Sequence, residues 1–355
     1  MKILLLLFWV LPSFVFSQKT KPNTANPDRL PGKKFEFEVF KIAPGEIKLP
    51  FSSIKIIDNR FDTSKLGFIP IVQFIDNKKK VGRKIIFNEG VAKAIENYYN
   101  EFYQNSFSHN DVKLLIVMKK FWLSGVDNKR NKEIDVPENS ESIKFLYCKW
   151  EYYLSKGEEF MPLKRIDTVV TGVVFESQKN ESMRNLSTEK ILKLILNGLI
   201  EVFDFNAAVN QMEKLPKKTW QQIESYNLAS FNIPVLRDSV FTKGVYLNFN
   251  EFKNNKPSII NFKEGKMRIS FNKTENYLED DNGNRITNYW GYFTGDELKI
   301  GKYGNDKLYR ANNTFEFFLK HQYLTANTNI LGGTSYKDKE VWIPYQIDME
   351  TGKIY

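Results

Sequence analysis

Scarcity shapes this sequence more than any single motif. Its 355 residues include one cysteine and two histidines. The lone Cys148 cannot form an intramolecular disulfide, so no covalent staple is available to the fold. His109 and His321 fall in different expected domains, which argues against a histidine-based catalytic triad, and two are too few for a histidine-rich zinc centre. Phosphate-cradling glycine patterns are missing as well. The stretch "GGTS" at 332–335 lacks the lysine and the upstream glycine of a nucleotide loop, and no serine sits in a G-x-S-x-G elbow. Past the N-terminus no apolar run approaches the roughly 18 residues that a membrane-spanning helix requires. These absences lead to an expectation of no cofactor, no metal site and no transmembrane segment after the leader.

The leader is the clearest positive signal. Lys2 supplies a basic head, "ILLLLFWVLPSFVF" an apolar run, and Ser17 a small residue at the expected cut, with Val15 two positions before it. This is the pattern of a secretory signal peptide over residues 1–17. Pro12 interrupts the run, which is short for a bilayer span. No cysteine stands near the cut, which excludes a lipid anchor on a new N-terminal cysteine. The expected mature chain begins at Gln18 and is exported, to the periplasm, the outer membrane or beyond it.

A formal charge of +10 and a pI near 9.2 raise the question of an anionic partner. The basic runs are short, "NKKK" at 77–80 and "LPKK" at 215–218, and neither is followed by an RNA-reading aromatic motif or a zinc spacing. The richness in Lys, Asn, Ile and Phe also follows from A/T-rich codons. The lysines are read as a solvated surface, with no nucleic-acid partner.

The hydrophobic pattern divides the mature chain. Residues 18–34 are polar, contain Pro22, Pro27 and Pro31, and read as a flexible tether. From 35 to 215 the order is strand, helix, three strands, helix. "NEGVAKAIENYYNEFYQNSF" places Val91, Ile95, Tyr98, Tyr99 and Phe102 at helical spacing, with Asn88 as the expected N-cap. In "LSTEKILKLILNGLIEVFDF" Ser187 caps a second helix, Leu186 staples onto Ile191, and Ile191, Ile195, Leu199 and Val202 form the buried stripe. Between them "IKFLYCKWEYYL" alternates, so Leu146, Cys148, Trp150, Tyr152 and Leu154 share one face of a strand. Cys148 therefore reads as a small buried hydrophobe rather than a nucleophile. The implied architecture is an α+β domain, a sheet with two helices packed on one side.

Residues 35–215 resemble the amino-terminal domain of TolB and related ABC-transport auxiliary lipoproteins of Gram-negative envelopes. The resemblance rests on "IKIIDNRFDTSKLGFI", where a strand runs into Asp58, Arg60 and Asp62 and then Gly67, and on the element order that follows. It implies an envelope location and a role in protein contact, and no catalytic residue.

Residues 216–238, "PKKTWQQIESYNLASFNIPVLRD", read as a linker. From 239 to 355 short alternating runs are separated by "DNGN", "TGD", "GND" and "ETG" turns, the pattern of a mainly antiparallel barrel- or sandwich-like domain. "NEFKNNKPS" reads as one helical turn capped by Asn250 and stopped before Pro257. "GVYLNFNEFKNNKPSI" and "PYQIDMETGKIY" are similar to phrases in secreted two-domain envelope proteins of unknown activity.

Two groups of residues are site candidates. Asp58, Arg60 and Asp62 follow a strand end directly, though an arginine between two aspartates commonly fixes a turn by ion pairing. In "NYWGYF", period-two spacing puts Trp290 and Tyr292 on one face and Tyr289 and Phe293 on the other. One face must line a core, and the other could stack on a sugar. The acidic run Glu279, Asp280, Asp281 does not make a calcium loop: counting from Asp280, Arg285 takes the glycine position and Gly291 the final glutamate position. It reads as a hairpin tip. The expected function is an exported, non-enzymatic envelope protein with an envelope protein as partner. The alternative is a glycan-binding protein or carboxylate-dependent glycan hydrolase using Trp290 and Tyr292 as stacking rings.

Overall fold

The computed structural model describes residues 32–35, 47–69, 80–81, 83–126, 142–174, 196–200, 203–270, 273–301, 306–328 and 334–354. The expected leader, 1–17, and most of the expected tether, 18–34, lie outside them. Gly32–Phe35 forms β1, which pairs in parallel with β5 (Arg83–Phe87).

Alternation builds the first half. β6 (Val112–Val126), β7 (Ser142–Lys156) and β8 (Glu159–Val174) are long antiparallel neighbours in an eight-stranded sheet. β2 (Ile54–Asp58) lies parallel along the opposite side of β6, and β3 (Gly67–Ile69) meets the same side farther on, at Leu123. On β7 the inward face is the expected one: Leu146, Cys148, Trp150, Tyr152 and Leu154 are all buried in one cluster. β6 shows what alternation alone does not. Its core residues are Leu114, Ile116 and Met118, then Phe121 and Leu123, so the parity changes midway. The cause is a β-bulge at Lys119, which inserts one residue against β7 between Met118 and Lys120.

The helix α1 (Val91–Phe102) covers the inward face, burying Val91, Ala94, Ile95, Tyr98 and Tyr99. Its cap is Gly90 rather than Asn88, with φ of 86° and no side-chain bond to the first turn. Asn88 sits in the preceding turn, too early to reach those amides. The second expected helix is described over 196–200, where Leu196, Leu199 and Ile200 join the same cluster. Hydroxyls tie it down: Tyr99 donates to the Leu196 carbonyl, Tyr98 to Asn197 and Tyr152 to the Leu199 carbonyl. The proposed cap Ser187, the Leu186–Ile191 staple, Ile195 and Val202 lie outside the described residues.

The opposite face of the sheet is covered in part. Residues 216–238 carry β9 (Lys218–Thr219), which pairs with the start of β8, and helices at Trp220–Ala229 and Pro234–Arg237. Thr219 and Gln222 form a capping box on the longer helix. Its Ile223 packs on Leu115, Val117 and Tyr153, whereas Ile233, Val235 and Leu236 enter the core of the C-terminal half. The segment is thus ordered and touches both cores.

Among the described residues the C-terminal half is built from small open sheets, mostly antiparallel, with no closed barrel. β10 (Gly244–Tyr246), β14 (Gly291–Phe293), β15 (Leu298–Ile300) and β16 (Asp306–Lys307) form one sheet. One of its clusters gathers Tyr246, Phe293, Ile300, Phe315 and Phe317, and the other gathers Val245, Leu278 and Tyr292. β11 (Lys263–Ser270), β12 (Lys273–Glu279) and β13 (Arg285–Ile286) make a second sheet beside the latter cluster. The third sheet contains β17 (Tyr309–Ala311) and the long ribbon of β18 (Thr314–Thr328) and β19 (Thr334–Gln346). Lys80–Val81 adds β4 to its edge, alongside Val341 and Trp342, so the first half contributes a strand to the last sheet.

Candidate functional site at the joint of the two halves

The loop 59–66 leaves β2 and re-enters at β3 against β6, near carboxylates of β18 and of the C-terminal turn. Within the loop, Arg60 is buried. Nε donates to Asp58 Oδ1 at 2.8 Å, and Nη2 to Asp58 Oδ2 at 2.7 Å and the Thr63 carbonyl at 3.4 Å. Nη1 donates to the carbonyls of Lys65 at 2.7 Å and Phe121 at 3.3 Å. A guanidinium has five N–H donors, and all five are engaged within the chain. Arg60 therefore fixes the loop and has no donor left for a ligand.

Asp62 points the other way and does not pair with Arg60. Its Oδ1 accepts from the backbone and hydroxyl of Ser64 and from Asn312 Nδ2 at 2.7 Å. Its Oδ2 accepts from Lys65 Nζ at 2.7 Å and Gln346 Nε2 at 3.3 Å. Lys65 in turn pairs at 2.6 Å with Oε1 of Glu316, on β18. Gln346 Nε2 lies 3.4 Å from the same Oε1. The sequence thus places Asp58, Arg60 and Asp62 together, and the fold splits them into two knots, one closing the loop and one crossing to the C-terminal half.

All three charged groups of the second knot are deeply buried, and their ionisation reflects it. Burial alone pushes the Asp62 carboxyl up, but the Lys65 ammonium and the Ser64 donors outweigh it and hold Asp62 below its ordinary value. Burial alone pushes Lys65 down, and Glu316 and Asp62 together raise it above the ordinary lysine value. Glu316 is raised: burial is the largest cause, Lys65 opposes it, and the nearby Asp62 charge adds to it. Its second oxygen, Oε2, is buried without a hydrogen-bond partner.

Beside this knot lies a shallow cleft with room for about 30 Å³, open to solvent, lined by Arg60, Asp62, Lys119, Lys120, Gln346 and Asp348 among others. Its lysines are engaged. Lys119, the bulge residue, donates to Asn227 and lies 4.9 Å over the Tyr226 ring. Burial lowers its pKa, Glu151 works against that, and Arg165 adds to it. Lys120 pairs with Asp348, and Lys149 on β7 pairs with Glu350. The outer face of the first sheet is therefore where the C-terminal turn "DMETG" docks.

The aromatic candidates do not form one surface. Tyr292 is fully buried between Phe262 and Tyr289, with its hydroxyl donating to Glu264 at 2.6 Å. Burial first, and then this bond to a carboxylate, push its phenol well up. Trp290 is half-buried in the other cluster, its ring stacked at 4.2 Å on Phe252. Period-two spacing expects these two residues on one face. The alternation fails because the strand begins at Gly291, after a turn in which Asn288 has φ of 58°. Tyr292 has no free face to stack on a sugar, and Trp290 has one face covered.

Other sequence landmarks resolve into structure. Cys148 is buried, and burial pushes its thiol well above the ordinary range. His109 is exposed in a bend well beyond the last helical residue, Phe102. His321 lies opposite Val341 in the ribbon, and its side chain is outside the described residues. Asp280 caps a hairpin tip, accepting from the amides of Asn282 and Asn284. In "GVYLNFNEFKNNKPSI" the helix is Phe249–Lys253 and its cap is Asn248, not Asn250. Asn255 was unmarked in the sequence and is a hub. At φ of 53° it accepts from Thr242 N and Tyr246 OH and donates to Asp238 and to the Val240 carbonyl. Sequence reasoning also missed Lys65, Glu316, Asn312 and Gln346. One signal was available: Glu316 interrupts "TFEFFL", an acid inside an otherwise apolar start to the strand.

Against known proteins, no family model matches the chain and no curated protein is similar to it. Two solved structures share a partial likeness. One is a Xanthomonas campestris protein assigned to the family model DUF330, with 10% identity over 47% of this chain and 92% of that one, at a TM-score of 0.28. The other is an uncharacterised protein with 6% identity over 48% of this chain and 96% of that one, at a TM-score of 0.23. Likenesses of this size carry no argument about fold or function.

Proposed function

We propose that this is an exported accessory protein of the cell envelope that acts through contact with another envelope protein, without chemistry of its own. One observation carries the reading: the polar residues best placed for a site are consumed in holding the molecule together. All five Arg60 donors are internal, and Asp62 joins the loop to Asn312 and Gln346 across the joint. The leader at 1–17 and the TolB-like resemblance of 35–215 support the compartment and the contact role. We further propose that residues 35–215 and 239–355 are two domains, with 216–238 packed across them as a strap.

The experiment is a cross-linking pull-down from envelope fractions, with N-terminal sequencing of the native protein. The expected result is a chain starting at Gln18 and a reproducible envelope protein partner. A chain retaining Met1, found in the cytoplasm, would remove the compartment. Turnover of an envelope glycan by the purified protein would replace the accessory reading with the hydrolase alternative.

A further inference from the structure

The knot of Asp62, Lys65 and Glu316 has an arrangement that a purely structural ion pair does not need. Two carboxylates share one ammonium, at 2.7 and 2.6 Å, and all three side chains are almost wholly buried. With both acids ionised the knot carries one net negative charge away from water. The surplus resides on Glu316, whose Oε2 is the buried oxygen with no hydrogen-bond partner. Asp62, by contrast, has a donor on each oxygen.

The knot is also a joint. Asp62 and Lys65 belong to the loop between β2 and β3, whereas Glu316, Gln346 and Asn312 belong to the C-terminal half. We propose that it is an acid-strengthened latch: uptake of one proton by Glu316 neutralises the knot and tightens the contact between the halves. Glu316 is then a neutral acid, Lys65 and Asp62 remain a matched pair, and no uncompensated charge is buried.

The groups facing Glu316 define the window. Lys65 and Asp62 approach from the loop and Lys84 from β5. On its own sheet Tyr309 of β17 and the neutral Gln346 of β19 stand opposite in register. Glu316 is raised in the folded protein, by burial first, so its protonated form favours the folded state. That stabilisation is lost as pH rises through its folded value. Asp62 is held below the ordinary value of 3.8, so its contribution is present above that value and is lost as pH falls through the lower, folded one. The latch is strongest in mild acid and weakens on both sides.

The test compares the intact protein with Glu316→Gln by thermal unfolding across pH, and by hydrogen exchange of segments 60–66 and 312–318 corrected for intrinsic rates. In the wild type, melting should fall as pH rises from the acid to the alkaline side by roughly 2–4 °C more than in Glu316→Gln. Both joint segments should exchange faster at the alkaline end in the wild type alone. The same pH slope in both proteins, or exchange at the joint indifferent to pH, overturns the proposal. Should Glu316→Gln fail to fold, infrared spectroscopy of the wild type decides. A buried protonated-carboxyl band that is present in acid and disappears as pH rises supports the latch, and its absence throughout, or its persistence at every pH, overturns it.

Discussion

The two halves of this molecule reach a packed core by opposite routes. In the first, three strands longer than a dozen residues run side by side, and one alternation on β7 places four large side chains and Cys148 in a single cluster. In the second, one long ribbon of β18 and β19 stands beside a sheet whose strands β10, β14 and β15 are three residues each. Among the described residues every non-glycine with positive φ lies there: Asn255, Asn288 and Asn312. A long strand fixes its own register because slipping by one residue turns every apolar side chain to the wrong face. A three-residue strand has too few side chains for that, so turn geometry and polar hubs must set the register. The lesson is that the first half should be sensitive to core volume and the second to its asparagines and ion pairs.

The largest expected effects break that comparison most directly. Lys65→Met leaves Asp62 and Glu316 buried together without a counter-charge, and should cost about 3–5 kcal/mol in denaturant unfolding. A loss comparable to that of an exposed lysine would show that the knot does not hold the halves. Trp150→Ala in the first core, and Tyr292→Ala in the second, should each cost about 3–5 kcal/mol, because both rings are fully buried. Trp290→Ala should cost clearly less, since its ring is half-exposed. Equal losses for Trp290 and Tyr292 would mean that the two clusters do not differ as described.

Smaller changes sharpen it. Asn255→Ala removes a left-handed residue suited to its conformation and a hub of four hydrogen bonds, and should cost about 2–4 kcal/mol. Cys148→Ser in the first core should cost about 1–3 kcal/mol if the hydroxyl is left unpaired, and the native thiol should resist alkylating reagents until unfolding. Fast labelling of the folded protein would contradict its burial. At the bottom of the scale, Asn248→Ala should cost about 1 kcal/mol by removing a helix cap, and Asn250→Ala almost nothing. The reverse order would restore the cap to the position that the sequence suggests.

By itself the sequence determined the elements wherever a pattern repeats along the chain. The inward face of β7, the stripe of α1, the hairpin tip at Asp280 and the α+β character all follow from local periodicity and turn chemistry. It also marked Asp58, Arg60 and Asp62 as a polar group at a strand end. Tertiary structure alone decided what those residues do. Asp62 finds Gln346 across 284 positions of chain, and Lys65 finds Glu316 on a strand of the other half. It also decided the parity change at Lys119, the turn that separates Trp290 from Tyr292, and the cap at Asn248 rather than Asn250. The reason is physical: alternation and capping act between neighbours, so they can be read in order. A buried charge must be matched by whatever opposite charge the fold brings within about 3 Å, and no spacing in the sequence encodes that partner.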